Sequence, residues 1–305
     1  MKYDIIGDIH GQAEKLKKLL KILGYRTRSG AYRHPEGRMV LFLGDLIDRG
    51  PGQVEVINIV RNMIEAGSGR TIMGNHEFNA IGYATRCADG IGYLRRRNEK
   101  NNAQHSEFLR QVKQDSALHK EMVQWFKTLP VFLDLGGVRL CHAWWNQKFI
   151  NLLSEQSGAD GALNESFLIS SFDVTTDAYE AMEGVTKGME VALPSGYSFV
   201  DHSGFERKNI RVRSWDRQAT TYREAALVPE KCRTGIPDLE LPAYIKLGTA
   251  DDIPTFLGHY WLTGAPSIQN ASTAVLDYGA GIGGPLVAYR WNGETELLNS
   301  SFVST

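Results

Sequence analysis

Short apolar runs recur along the chain, each closing on a glycine or another small residue and then on a polar cluster. Tyr3-Asp-Ile-Ile-Gly7 leads into Asp8-Ile-His10, and Met39-Val-Leu-Phe-Leu-Gly44 leads into Asp45. Arg70-Thr-Ile-Met-Gly74 leads into Asn75-His76-Glu77, Val138-Arg-Leu-Cys141 into His142, and Thr255-Phe-Leu-Gly258 into His259. Each run has the length and bounding of a buried strand. Helical spacing lies between the first strands. Leu16, Leu19, Leu20 and Leu23 share one face with Gly24 as a stop, and Val54, Ile57, Val60, Met63 and Ile64 repeat the pattern after Pro51-Gly52. Strands alternating with helices predict an α/β fold with parallel segments, whose ligands bind beyond the carboxyl ends of the strands.

The remaining segments are less regular. Residues 95–127 read as charged helix, and 272–291 as two strands around a glycine-rich connection. Residues 150–250 read as a partly helical insertion or lid within a single domain spanning 1–305. The charges nearly cancel, 34 Lys+Arg against 35 Asp+Glu, which leaves no field for nonspecific binding to nucleic acid or membrane. The apolar fraction of 42% excludes a disordered chain. Cys87, Cys141 and Cys232 are few and odd in number, as expected in a reducing compartment. Acidic and histidine residues by position 10 leave no apolar core for a signal peptide, and no run approaches a membrane span, so the expected location is cytoplasmic.

The strand ends collect Asp8, His10, Asp45, Asn75, His142 and His259. Taken singly, these are turn residues, helix caps or structural histidines. Together they form a mixed nitrogen and oxygen set suited to Mn, Fe, Zn or Ni. Six ligands are enough for two ions if one carboxylate bridges, and two ions can clamp the attacking and leaving oxygens of a phosphoryl transfer. Past Asp45 stand Asp48 and Arg49. A guanidinium grips phosphate oxygens with a planar fork. His76, paired with Asp48, is placed to protonate a leaving alkoxide as a general acid.

Gly7-Asp-Ile-His-Gly11, Gly44-Asp-Leu-Ile-Asp-Arg-Gly50 and Gly74-Asn-His-Glu77, followed by His142 and His259, resemble the phosphoprotein phosphatase branch of the calcineurin-like metallophosphoesterases. The resemblance covers 1–80 well and short stretches around 142 and 255–290. It implies a two-sheet mixed β sandwich flanked by helices, with two divalent ions, manganese first among them. One ion would be held by Asp8, His10 and Asp45, the other by Asp45, Asn75, His142 and His259. The family also implies Arg49 on the phosphate and a second phosphate-binding arginine. Arg211, Arg213 and Arg233 are candidates, with Arg213 favoured. His142-Ala-Trp144-Trp145 departs from the smaller residues usual there, and Gly258-His259-Tyr260-Trp261 lacks the last histidine of nuclease-like branches.

The expected activity is hydrolysis of phosphate monoesters by in-line attack of a metal-activated hydroxide, as in protein serine/threonine phosphatases. The alternative is a nucleotide pyrophosphohydrolase of the diadenosine tetraphosphatase type. The substrate would be a phosphorylated small molecule, a nucleotide or a phosphoprotein. Trp144, Trp145, Tyr260 and Trp261 flank ligand histidines, and core packing outweighs a base-stacking platform. Gly279-Ala-Gly281-Ile-Gly-Gly284 fits dinucleotide-binding spacing, but a strand follows it, so a hairpin or loop is expected.

Overall fold

The computed structural model describes residues 1–200, 204–243, 245–248 and 251–305. Two mixed sheets face each other. The first runs, edge to edge, Phe302–Ser304, Val287–Trp291, Tyr3–Ile6, Met39–Phe42 and Gly69–Thr71, the last three parallel. The second runs Thr273–Val275, Thr255–Leu257, Arg139–Cys141 and Phe132–Asp134, the first three parallel. Alternation along each strand assigns its two faces. Ile5, Leu41, Leu140, Phe256, Ala274 and Tyr289 meet between the sheets. Ile6, Val40, Phe42, Cys141, Leu257 and Val275 turn outward into a second core shared with the helices.

The predicted helices form as Ala13–Ile22 and Gln53–Glu65. Leu16, Leu19 and Leu20 have no exposure, and each contributes about 1.5–3 kcal/mol of apolar burial. The first helix stops where Gly24 takes φ +93°, a conformation costly for any residue with a Cβ. The charged stretch 95–127 forms Glu99–Val112 and Ala117–Lys127.

The two strands of 272–291 are not a hairpin. Thr273–Val275 pairs with Thr255–Leu257 in the second sheet, and Val287–Trp291 pairs with Tyr3–Ile6 in the first. The glycine-rich connection therefore crosses from one sheet to the other, through a short 3₁₀ turn at Ala280–Ile282. Alternation shows which face of a strand is buried but not which neighbour it pairs with, so the pattern could not separate the two outcomes.

Of the 150–250 segment, residues 201–203, 244, 249 and 250 lie outside the described residues. The rest includes the helices Glu165–Ser170 and Asp177–Lys187 and the paired strands Glu190–Ala192 and Asn209–Arg211. Val191, Ile210, Val212, Tyr222 and Ile236 form a small cluster of their own there. Among the described residues, no helix is long and apolar enough to cross a membrane.

Candidate metal centre and active site

The parallel strands deliver their polar clusters to one end of the sandwich. The backbone there is strained in a concentrated way. Among the described residues nine non-glycine positions have positive φ, and six are His10, Asp45, Asp48, Arg49, His259 and Trp261. Such conformations persist where surrounding structure over-determines them. One source is Glu77, whose buried carboxylate accepts from the backbone N–H groups of Asp45 (2.9 Å), Leu46 (2.8 Å) and Gly74 (2.9 Å). The glycines before the ligands allow the loops to interlock. A Cβ on Gly258 would lie 2.1 Å from Asp8 Oδ1, and one on Gly74 would lie 2.2 Å from Asp45 Oδ1.

Asp45 sits at the middle. Its Oδ2 lies 3.7 Å from His10 Nε2 and 3.2 Å from His142 Nε2. Asn75 Oδ1 lies 3.2 Å from His142 Nε2 and 2.8 Å from His259 Nδ1. Asp8 Oδ2 is 4.0 Å from His142 Nε2 and accepts from the His259 backbone N–H at 3.0 Å. All six predicted ligand residues thus converge. Two overlapping groups could each hold an ion, His10–Asp45–His76 and Asp45–His142–His259, and Asp45 belongs to both. The first group differs from the expected set. It includes His76 where the expected set has Asp8, and Asp8 belongs to neither group.

Hydrogen bonds orient the imidazoles. His10 Nδ1–H donates to Ile47 O at 2.9 Å, and His142 Nδ1–H donates to Leu43 O at 2.6 Å. A carbonyl can only accept, so each ring, when neutral, turns an Nε2 lone pair inward, as a metal ligand must. Asp8 Oδ1, His10 Nε2 and His259 Nε2 are buried with no hydrogen-bond partner. Buried polar atoms rarely go unsatisfied, and these three are lone-pair donors of the kinds that hold Mn, Fe, Zn or Ni. The residues therefore fit divalent ions. Burial, then His76, lowers the His10 pKa to about 3; burial, then Arg211, holds His259 well below its usual value. Burial opposes ionisation of Asp45, but His142 and His76 outweigh it and keep the carboxylate well below the usual range. The same logic raises His142 to about 10, where Asp45 and Asp8 overcome burial.

Asp48 and His76 form a tight pair, His76 Nδ1–H donating to Asp48 Oδ2 at 2.5 Å. His105, on the helix Glu99–Val112, donates from Nδ1 to the other oxygen, Oδ1, at 2.7 Å. The sequence reading gave His105 no role. Its place on one face with Phe108 and Val112, all buried, was the available signal in a helix otherwise charged. Asp277 was also missed: it is buried and accepts from the backbone N–H groups of Trp261 and Gly279, both at 2.9 Å.

The Arg49 guanidinium lies 4.2 Å from the centre of the Trp261 ring, and Trp261 is 38% exposed at the rim. Trp144, Trp145 and Tyr260 are buried in the core. Gly281 of the glycine-rich connection backs the site, since a Cβ there would lie 2.5 Å from Arg49 Cδ. The favoured second arginine, Arg213, does not join the centre. It pairs with Asp216 at 3.2 Å and donates to the Glu224 carbonyl. Arg233 pairs with Glu230. Arg211 is the candidate whose charge acts on His259.

Residues 1–171 match the family model for calcineurin-like phosphoesterase. A bis(5'-nucleosyl)-tetraphosphatase PrpE of Oceanobacillus iheyensis is 31% identical over 140 residues, which is 46% of this chain and 54% of that protein. The Bacillus subtilis protein of the same name is 47% identical over 76 residues, 25% of this chain and 31% of that one. The chain thus spans about half the length of the first relative and about a third of the second. Among solved structures, a cold-active protein-tyrosine phosphatase of a Shewanella species superposes with a TM-score of 0.50 at 16% identity, covering 99% of this chain and 80% of that one. At that identity the likeness speaks to the fold.

Proposed function

The chain belongs to the calcineurin-like phosphoesterase family; from that premise we propose that it hydrolyses phosphoric anhydride bonds and that its substrate is a nucleotide polyphosphate of the bis(5'-nucleosyl)-tetraphosphate kind. The observation that carries the chemistry is Asp45 at the centre of two candidate ion sites, beside the Asp48–His76 pair. The choice of substrate is supported by relatives named bis(5'-nucleosyl)-tetraphosphatase. They favour the nucleotide reading over the protein phosphatase reading.

In this proposal Asp8, His10, Asp45, Asn75, His142 and His259 hold two divalent ions, manganese first among the candidates. When bound, the ions would supply Lewis-acid stabilisation of the phosphoryl oxygens and lower the pKa of water. Arg49, braced on Trp261, binds the phosphate under attack. His76 presents Nε2 to the leaving oxygen while Asp48 holds Nδ1, so the proton to be donated sits on the reacting side. The three free cysteines accord with a reducing, cytoplasmic setting.

The test is the product pattern from diadenosine tetraphosphate with Mn²⁺-loaded protein. Asymmetric cleavage yields AMP and ATP. No cleavage, alongside rapid dephosphorylation of a phosphoserine peptide, would return the protein to the phosphatase reading.

A further inference from the structure

Beyond the acid pair lies a cation without an acid partner. Arg95 is half-buried, and its guanidinium donates to three neutral amide oxygens: Asn79 Oδ1 (2.6 Å), Asn101 Oδ1 (2.9 Å) and Gln104 Oε1 (2.9 Å). Among the described residues no carboxylate stands within ion-pair distance of it; Asp48 and Glu183 act only at longer range. A buried guanidinium is ordinarily matched by a carboxylate, because desolvating an unpaired charge is costly. Here amides satisfy the N–H groups and leave the charge uncompensated. Arg95 has five donors, of which three are used.

Its position gives the charge a purpose. The other end of the Gln104 amide, Nε2, lies 3.3 Å from His76 Nε2, the ring atom that faces the leaving oxygen. Gln104 therefore marks where a leaving group would begin, and Arg95 stands directly behind it. We infer that Arg95, Gln104 and Asn101 form a subsite for an anionic, polyphosphate leaving group. This rests on the nucleotide reading above. In the reaction, water gives its oxygen to the attacked phosphorus and a proton to solvent. The phosphorus–oxygen bond to the leaving phosphate breaks, its electron pair stays on that oxygen, and the oxygen takes the proton from His76. The further phosphates of the departing group carry their negative charge where Arg95 is waiting. A serine or phenol leaving group has no further phosphates to offer.

The experiment compares wild type, Arg95→Gln and Arg95→Lys as Mn²⁺-loaded proteins, with circular dichroism and metal content matched first. The probes are diadenosine tetraphosphate, p-nitrophenyl phosphate, and inorganic tripolyphosphate as an inhibitor of p-nitrophenyl phosphate turnover. The expected result for Arg95→Gln is a loss of roughly 10–100-fold in kcat/KM on the dinucleotide, the worth of a hydrogen bond to a charged group. The loss on p-nitrophenyl phosphate should be about tenfold smaller, tripolyphosphate should inhibit less, and Arg95→Lys should recover part of both effects. Equal losses on both substrates, or unchanged inhibition, overturn the subsite. A wild type that does not cleave the dinucleotide yet shows Arg95-dependent tripolyphosphate inhibition would overturn the nucleotide reading and keep the subsite.

Discussion

His105 Nδ1 lies 2.7 Å from Asp48 Oδ1, on the carboxylate oxygen that His76 does not use. The Asp48 carboxylate is thus held between two imidazoles. Burial would push its pKa up, but His105 and His76 outweigh burial and keep it ionised. A carboxylate fixed at both oxygens fixes His76 in turn, so His105 is a positioning residue for the acid. His105→Ala should lower kcat about tenfold, with metal content unchanged. The loss should be larger for alkyl phosphates than for p-nitrophenyl phosphate, whose leaving group needs no proton. His105→Asn, which keeps a donor near the Nδ1 position, should recover most of the activity. Equal losses for both leaving groups would count against the role.

Glu77 ties four backbone N–H groups of the Asp45 and Gly74 loops, those of Asp45, Leu46, Ile47 and Gly74. Replacing it by alanine leaves those buried donors unpaired at about 1–3 kcal/mol each. Glu77→Ala should therefore destabilise the fold by at least about 3 kcal/mol in urea titration. A change within experimental error would show that the loops hold their shape without it.

Gly258→Ala tests the interlock of the two sheets. The added methyl collides with Asp8 Oδ1. Asp8 should turn away, and metal affinity should fall roughly 10–100-fold, the cost usual for disturbing a ligand's support. Calorimetric titration with Mn²⁺ reads this directly, and unchanged affinity would remove Asp8 from the ligand set.

Acid should weaken the metal-free protein through His10. Its pKa is lowered from 6.5 to about 3 by burial and His76. The unfolded chain takes up a proton below pH 6.5 that the folded chain refuses, so this contribution is complete above 6.5 and lost progressively toward 3. Glu77, raised to about 7 by burial and Asp45, acts in the opposite sense, so the comparison must isolate His10. In EDTA, the fall in Tm from pH 7 to 4 should be shallower for His10→Asn than for wild type. Parallel curves would show that His10 is not held neutral.

The convergence of Asp8, His10, Asp45, Asn75, His142 and His259 was legible because each follows a short buried strand, so local pattern and chemistry point to the same positions. His105 and Asp277 were not legible, since their places arise only where distant segments pack. A charged helix such as Glu99–Val112 looks solvated in sequence, although His105 faces inward. Arg213 is engaged by Asp216 and the Glu224 carbonyl for a local reason. The strand Asn209–Arg211 ends before Arg213, and Arg213 opens a turn closed by the Asp216 N–H on its carbonyl. Two residues that would share a face in a longer strand are thereby sent to different places.

The most direct measurement is kcat/KM of the Mn²⁺-loaded protein on diadenosine tetraphosphate and on a phosphoserine peptide, with Asp45→Ala as the control. The account predicts strong preference for the dinucleotide, and loss of activity together with at least one ion in the variant. Preference for the phosphopeptide, or an Asp45→Ala protein with full metal content and activity, would contradict it.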